Sequence, residues 1–464
     1  MPFSAVTQFG IAAFRSVLIL VFAMTLAARA ADRPNIVMII SDDQSWTDYS
    51  FMGHPDIQTP HIDALAERSA VFRRGYVPTA LCRPSLATMI TGLYPSQHRI
   101  SGNDPARTDG MSNEAYADLR ARLIGHIDEH PTLPRLLGDN GYQSHQSGKW
   151  WEGNWKRGGF TAGMSRGFPQ PRGRHGDDGL DIGRKGMQPI FDFVDAAVAD
   201  DDPFMLWYAP FLPHTPHNPP ERILKKYQRD DRPEALAKYY AMCDWFDETV
   251  GQLTTYLDAR NLTDNTLVVY VTDNGWIQRT PETQVTDQWR HSFAPRSKQS
   301  PNEGGTRTPI MFSWPGVIPP GEHPELVSSI DLMPTLLAAA GADIPDGLPG
   351  LNLMKKLKEN GELDRNFLYG ESYAHDVADV DDPEASLLFR WGIEGNWKLI
   401  LSYPGASGRY GVVHAIQEPG PQLYDLSADP HETKNVAAAH PQIVQRIAAE
   451  IQSTWDVSMK PRGL

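Results

Sequence analysis

The chain of 464 residues holds only two cysteines, Cys82 and Cys243. Two thiols cannot build the disulfide framework of a small stapled scaffold. They leave either one Cys82–Cys243 bridge or two buried thiols. Long apolar runs are missing too, except near the start. There MPFSAVTQFGIAAFR carries Arg15 and no acid, SVLILVFAMTLA follows, and Ala28-Arg29-Ala30 closes the stretch. That run is short for a bilayer span of about 20 residues. The arrangement predicts a signal peptide over residues 1–30 and an exported product, periplasmic or secreted, with no membrane contact after cleavage. Positive charge is scarce: the formal net charge is −14. Such a surface excludes nucleic acid as a partner and leaves a small anion to local cations or a metal. Repeats and low-complexity tracts are absent as well.

What is present is a rhythm. RPNIVMII (33–40) reads as a buried strand and runs into Ser41-Asp42-Asp43. Thr59-Pro60 opens a helix. VFRRGYV (71–77) is a strand, and a helix begins near Pro84 and ends at Gly92. TLPRLLGDNGY (132–142) is helical. FMLWYAP (204–210), TLVVYVTDNG (266–275) and PIMFSW (309–314) are strands, 232–259 is a long helix, and 331–341 is another. Alternation of this kind predicts an α/β fold: a large mixed, mainly parallel sheet sandwiched by helices. After the Pro/Gly-rich 341–350 the rhythm changes. FLYGESY, LLFRWGIEG, NWKLILSY and QLYDL are closely spaced strands, and a helix covers roughly 440–456. They predict a smaller C-terminal α+β domain, an antiparallel sheet plus one helix. The expected division is 1–30, 31–345 and 346–464.

Polar clusters fall at strand ends, where α/β sheets gather their sites. Asp42 and Asp43 follow one strand; Asp273 and Asn274 follow another. Alone, the first pair reads as a helix cap and the second as a turn. Together they point to a hard divalent cation held by oxygen, calcium first and magnesium second. Lys149 stands in SGKWWEG, and Lys298 precedes NEGGTRTP. His214 and His217 lie in the proline-stiffened PFLPHTPHNPP, and no third ligand completes a zinc site. His214 reads as an anion-binding or proton-transferring imidazole.

These pieces, in this order, resemble the type I sulfatases, the formylglycine-dependent branch of the alkaline phosphatase superfamily. The resemblance is carried by PNIVMIISDDQ, TPHIDALAERSAVF, CRPSLATMITGLYP, GKWW, PFLPHTPH, VTDNG, KQSPNEGGTRTP and LYDLSADPHETKNV. It spans about Arg33 to Ala439. It implies that a maturation enzyme oxidises Cys82 to formylglycine, whose hydrate is the nucleophile. It also implies that Asp42, Asp43, Asp273 and Asn274 hold calcium, and that Lys149, His214 and Lys298 grip the sulfate and serve the leaving group. The substrate it implies is a sulfated carbohydrate or small sulfate ester.

Two positions depart from the family pattern. Leu86 stands where the cysteine motif carries arginine, with Arg83 and Arg74 as candidate replacements. Trp151 stands where Gly-Lys-Trp is followed by histidine, with His145 nearby in sequence. Two other readings therefore accompany the sulfatase one. One is a phosphodiester or phosphonate monoester hydrolase of the same superfamily. The other is a non-catalytic relative that binds sulfated glycans. Specificity is expected in the loops 99–130, 150–186, 276–297 and 373–384, and the stretch RGFPQPRGRHGDDG is expected to be a solvated loop.

Overall fold

A computed structural model describes residues 33–276, 296–408 and 419–464. The expected signal peptide and nearly all of the 276–297 loop lie outside them. The strand Asn35–Ser41 is buried along its whole length. Its side chains alternate between two apolar clusters. Ile36, Met38 and Ile40 enter one, with residues of the helices Cys82–Thr91 and Leu332–Ala339. Val37 and Ile39 enter the other, with the helices Gln188–Ala199 and Glu234–Ala259. A strand buried on both faces needs helices on both faces, which is the expected sandwich.

Among the described residues the sheet has nine strands. From one edge they run Val327–Ser328, Ala70–Tyr76, Arg307–Ser313, Thr266–Thr272, Asn35–Ser41, Phe204–Ala209, Gln143–Gly148 and Ala162–Gly163, and Gly321–His323 also pairs with Ala70–Tyr76. Only Arg307–Ser313 runs against its neighbours. The central pairs are parallel. Asn35–Ser41 and Thr266–Thr272 are neighbours, with Ser41 opposite Thr272. Whatever follows those two residues must therefore meet at the same sheet edge.

A second, antiparallel sheet joins Phe367–Tyr373, Leu387–Glu394, Trp397–Ser402 and Gln422–Asp425 in that order. The helix Pro441–Thr454 covers it, burying Val444, Ile447 and Ile451 against Leu399, Leu401 and Leu423. The mixed main sheet and the C-terminal α+β unit are the fold class expected from the strand rhythm. A two-residue parallel ladder, Asp104–Pro105 with Asp376–Val377, ties a loop of the main domain to the C-terminal one. Among the described residues, no helix is long and apolar enough to cross a membrane.

One buried acid gives the fold a pH dependence. Asp247 accepts the backbone N–H groups of His61 and Ile62 at the start of the helix Pro60–Glu67. Burial pushes its carboxyl from 3.8 up to about 7. The folded chain thus keeps a proton that the unfolded chain releases near pH 4, so this group's stabilising effect is lost as pH rises from 4 through 7. Asp247→Asn is expected to flatten that part of the stability–pH curve, measured by urea unfolding at pH 5 and pH 8.

Candidate active site

The site begins at the parallel pair just described. Asp42 and Asp273 each follow the matched residues Ser41 and Thr272, and Asp273 N donates to Ser41 O at 2.9 Å. Asp43 sits at φ 63°, in the left-handed region that aspartate tolerates better than most side chains. Its N–H donates to Asp273 Oδ1 at 3.0 Å. Asn274 Nδ2 donates to Asp43 Oδ1 and to Asp273 Oδ1, both at 2.7 Å. Two distant segments thus place three carboxylates and an amide together, all buried.

Lys149 and His214 come from loops after other strands, and Lys298 from the loop ahead of the helix Glu303–Thr306. Lys149, directly after Gln143–Gly148, donates from Nζ to Asp42 Oδ1 at 2.6 Å and lies 3.9 Å from Asp273 Oδ2. Lys298 donates to Asp43 Oδ1 at 2.5 Å and to Cys82 Sγ at 2.8 Å. His214 Nε2 lies 3.3 Å from Asp43 Oδ2, while its Nδ1 donates to Thr215 O at 2.6 Å. That second bond leaves Nε2 as the bare nitrogen of the neutral ring.

Cys82 is the first residue of the helix Cys82–Thr91, not a residue of the loop before it. Its Sγ stands 3.7 Å from Asp43 Oδ1 and 3.7 Å from Asn274 Oδ1. Both cysteines are free and buried, so no Cys82–Cys243 bridge forms. All eight side chains singled out in the sequence are brought together at this one sheet edge.

The charges there oppose one another. Burial holds the Asp42 and Asp273 carboxyls above their ordinary values, Asp42 by far. Burial acts on Asp43 in the same sense, but the Lys298 and Lys149 ammoniums outweigh it and hold Asp43 low. Burial pulls both lysines down, yet Asp42 at Lys149 and Asp43 at Lys298 leave them above the ordinary range. Burial takes His214 well below its usual value, so the ring is neutral. Burial pushes the Cys82 thiol up to about 12, with Lys149 and Lys298 only partly opposing it. A plain thiol here is protonated at neutral pH and a poor nucleophile.

Three buried carboxylate oxygens, Asp42 Oδ2, Asp43 Oδ2 and Asp273 Oδ2, have no hydrogen-bond partner. An unpaired buried anionic oxygen is costly, and three in one place fit a hard cation. One ligand atom each from Asp42, Asp43, Cys82 and His214 lies within 4.8 Å of the others. Turning the Asn274 amide exchanges Nδ2 for Oδ1 and adds a fourth oxygen to that set.

The expected stand-ins for the motif arginine lie elsewhere. Arg83 turns away from Cys82 and binds Glu152 through Nε at 2.8 Å and Nη2 at 2.6 Å. Arg74 reaches Gly395 O. Leu86 is buried in the apolar cluster with Ala87 and Met89. His145 packs on Phe193, ring centroids 5.1 Å apart, in the cluster behind the sheet. The Gly/Arg-rich stretch is a solvated loop only in part: Arg166 and residues 169–172 are exposed, while Gly173, Gly176, Asp177 and Gly179 are buried. Asp177 is fully buried and accepts the N–H groups of Arg166 and Gly167. A Cβ at Gly176 or Gly179 would stand 2.8 or 2.6 Å from Gly148 O, just before Lys149. The spacing of those glycines was the signal for close approach. Sequence reasoning missed what the stretch delivers. His175 packs between Trp151 and Phe211 with tilted rings, at 5.1 and 5.2 Å, and Phe211 also stacks on His214 at 4.3 Å.

Comparison with known proteins identifies relatives over most of the chain. The sulfatase family model matches residues 34–342, and a model of the N-sulphoglucosamine sulphohydrolase C-terminal region matches 297–456. Arylsulfatase A of Homo sapiens is 30% identical, over 92% of this chain and 89% of its own length. The N-acetylgalactosamine-6-O-sulfatase of Bacteroides thetaiotaomicron is 24% identical, over 91% and 93%. A structure solved in complex with its substrate D-glucosamine-2-N,6-O-disulfate shares the fold, with a TM-score of 0.63, 20% identity and coverage of 91% and 98%. This chain belongs to the sulfatase family of sulfuric ester hydrolases.

Proposed function

We propose that the chain is an exported sulfatase that removes sulfate from a sulfated carbohydrate or small sulfate ester. Residues 1–30 are its signal peptide, 31–345 its catalytic domain and 346–464 its C-terminal subdomain. Asp42, Asp43, Asp273 and Asn274 hold calcium. A maturation enzyme converts Cys82 to formylglycine. The observation that carries this reading is the trio of unpartnered, buried carboxylate oxygens beside Cys82 Sγ and two lysines.

Bound calcium supplies positive charge for the sulfate oxygens, and the hydrated aldehyde supplies a nucleophile that a buried thiol at about 12 does not. The chain's own residues do the rest. Lys149, held by Asp42, and Lys298, held by Asp43 and Cys82 Sγ, are fixed as cations from which a tetrahedral anion can accept. They orient the ester and offset charge that grows on the sulfate and the leaving oxygen. His214, held by Thr215 O, presents Nε2 to take up and return one proton. The site residues are almost wholly buried, so these interactions act with little water to weaken them.

Peptide mass spectrometry of the segment spanning Cys82, from protein purified from its native host, tests the reading together with aryl sulfate turnover. The expected result is loss of sulfur and gain of an aldehyde at residue 82 in protein that turns the ester over. An intact, alkylatable thiol in protein without turnover supports the glycan-binding alternative and overturns the hydrolase.

A further inference from the structure

We propose that Trp151, Arg174 and His175, with Asp104, His375 and Asp376, form the subsite for the alcohol half of the ester, and that this alcohol is an uncharged sugar ring. The inference rests on the hydrolase reading above and extends it to substrate class.

The six residues come from three loops far apart in sequence, yet their contacts make a circuit that starts and ends beside the nucleophile. Arg83 N, next to Cys82, donates to Asn103 Oδ1 at 3.1 Å. Asn103 Nδ2 meets His375 Nε2 at 3.2 Å, and His375 Nδ1 meets Asp376 Oδ1 at 2.5 Å. Asp376 is paired in register with Asp104. Asp104 accepts from Arg120 at 2.6 Å and from Arg174 Nε at 3.0 Å. Arg174 lies over the Trp151 ring at 4.7 Å, and Trp151 follows Lys149 by two residues. The Arg174 side chain is 41% exposed, which opens one arc of the circuit to solvent.

Three buried polar atoms on this circuit lack a hydrogen-bond partner among the described residues: Trp151 Nε1, His175 Nδ1 and Arg120 Nε. Trp151 is 3% exposed, and its Nε1–H has no hydrogen-bond acceptor among the described residues. Neither has His175 Nδ1 a partner, although it is buried. A buried donor left without an acceptor is costly, so a site that keeps one has use for an oxygen there. Arg174 covers one face of Trp151 and His175 approaches the ring at 5.1 Å, so the indole offers its N–H edge.

Charge identifies the oxygen. Arg120 and Arg174 are both committed to Asp104, and Asp376 adds a second carboxylate to the two guanidiniums. Among the described residues, the two guanidiniums of the circuit are matched by two carboxylates. A second sulfate or a uronate would meet the carboxylates of Asp104 and Asp376 beside two guanidiniums that both already bond Asp104. Hydroxyls, which donate and accept, fit such a surface.

The test compares kcat/KM on galactose 6-sulfate, with other uncharged hexose and hexosamine monosulfates as a panel, against 4-methylumbelliferyl sulfate. Trp151→Phe keeps the ring and removes the N–H; Asp376→Asn removes one acceptor charge at another point of the circuit. In each, the sugar-to-aryl ratio of kcat/KM is expected to fall at least tenfold in protein whose thermal unfolding stays near wild type. An equal fall on both substrates, or an unchanged ratio, overturns the subsite. So does a wild-type enzyme that cleaves the aryl ester but no uncharged sugar sulfate, or that prefers a disulfated sugar. Wild-type protein that cleaves neither class defeats the hydrolase reading itself.

Discussion

Asp273→Ala is expected to lower sulfate-ester kcat/KM at least about a thousandfold and to strip the divalent metal in the same variant. Asp273 does two jobs. Its Oδ1 accepts from Asp43 N at 3.0 Å and from Asn274 Nδ2 at 2.7 Å, so it sets the positions of two other oxygen donors. Its Oδ2 is one of the three unpartnered oxygens and faces Lys149 at 3.9 Å. Alanine removes one donor and releases two more. A thousandfold loss corresponds to about 4 kcal/mol of transition-state stabilisation, within the usual reach of charge placed in a buried site. Metal content after gel filtration and turnover of an aryl sulfate read the two effects separately. Asp273→Asn is the control: it keeps an acceptor for Asp43 N, loses the charge, and is expected to keep the fold while weakening metal retention. Asp273→Ala protein that retains stoichiometric metal and turnover within tenfold of wild type would remove Asp273 from the site. Assays of the wild type on aryl phosphonate and aryl phosphodiester decide against the other hydrolase reading, and sulfate is expected to be the preferred ester.

How much of this was legible follows from how each feature is encoded. The strand Asn35–Ser41 announced itself because both faces are apolar, and the polar residues after it marked a site because α/β sheets put sites there. Nothing local said that Thr266–Thr272 lies next to it. Strand order is a long-range property, so joining Asp43 with Asp273 rested on both pairs following apolar strands and on the family resemblance, not on any local signal. The replacement charge for Leu86 was misplaced for a similar reason. Arg83 is adjacent to Cys82 in sequence, but on a helix adjacent side chains point apart, and its partner Glu152 arrives from another loop. The Gly/Arg-rich stretch looked solvated by composition. Its glycines in fact record close packing against Gly148, which composition does not distinguish from flexibility.

Lys398→Met is expected to destabilise the fold by about 3 kcal/mol, because it removes the ammonium between two buried carboxylates. Lys398 is fully buried, with Nζ 3.0 Å from Glu303 Oε1 and 3.4 Å from Glu432 Oε1. Glu303 keeps Tyr76 and Arg307 as partners at 3.0 and 3.4 Å. Glu432 keeps the Glu303 N–H at 2.6 Å, but burial already holds its carboxyl above the ordinary range. The cost therefore falls mainly on Glu432. The cluster also joins the C-terminal sheet to the segment that carries Lys298. Arg296, two residues before Lys298, bonds Tyr424 Oη at 3.2 Å and the Glu432 carbonyl, and Gln299 N, one residue after it, donates to Ala80 O at 2.7 Å. Loosening that seat is expected to lower kcat about tenfold, since a small displacement of a charge-bearing group is costly in a preorganised site. Chemical denaturation reads the stability and aryl sulfate kinetics the activity. The double variant Lys398→Met/Glu432→Gln removes the orphaned charge and is expected to recover more than half of the lost stability, because an uncharged pair costs less to bury than a lone carboxylate. A single variant that loses less than about 1 kcal/mol, with no recovery in the double, would show that the ammonium does not hold the two domains together.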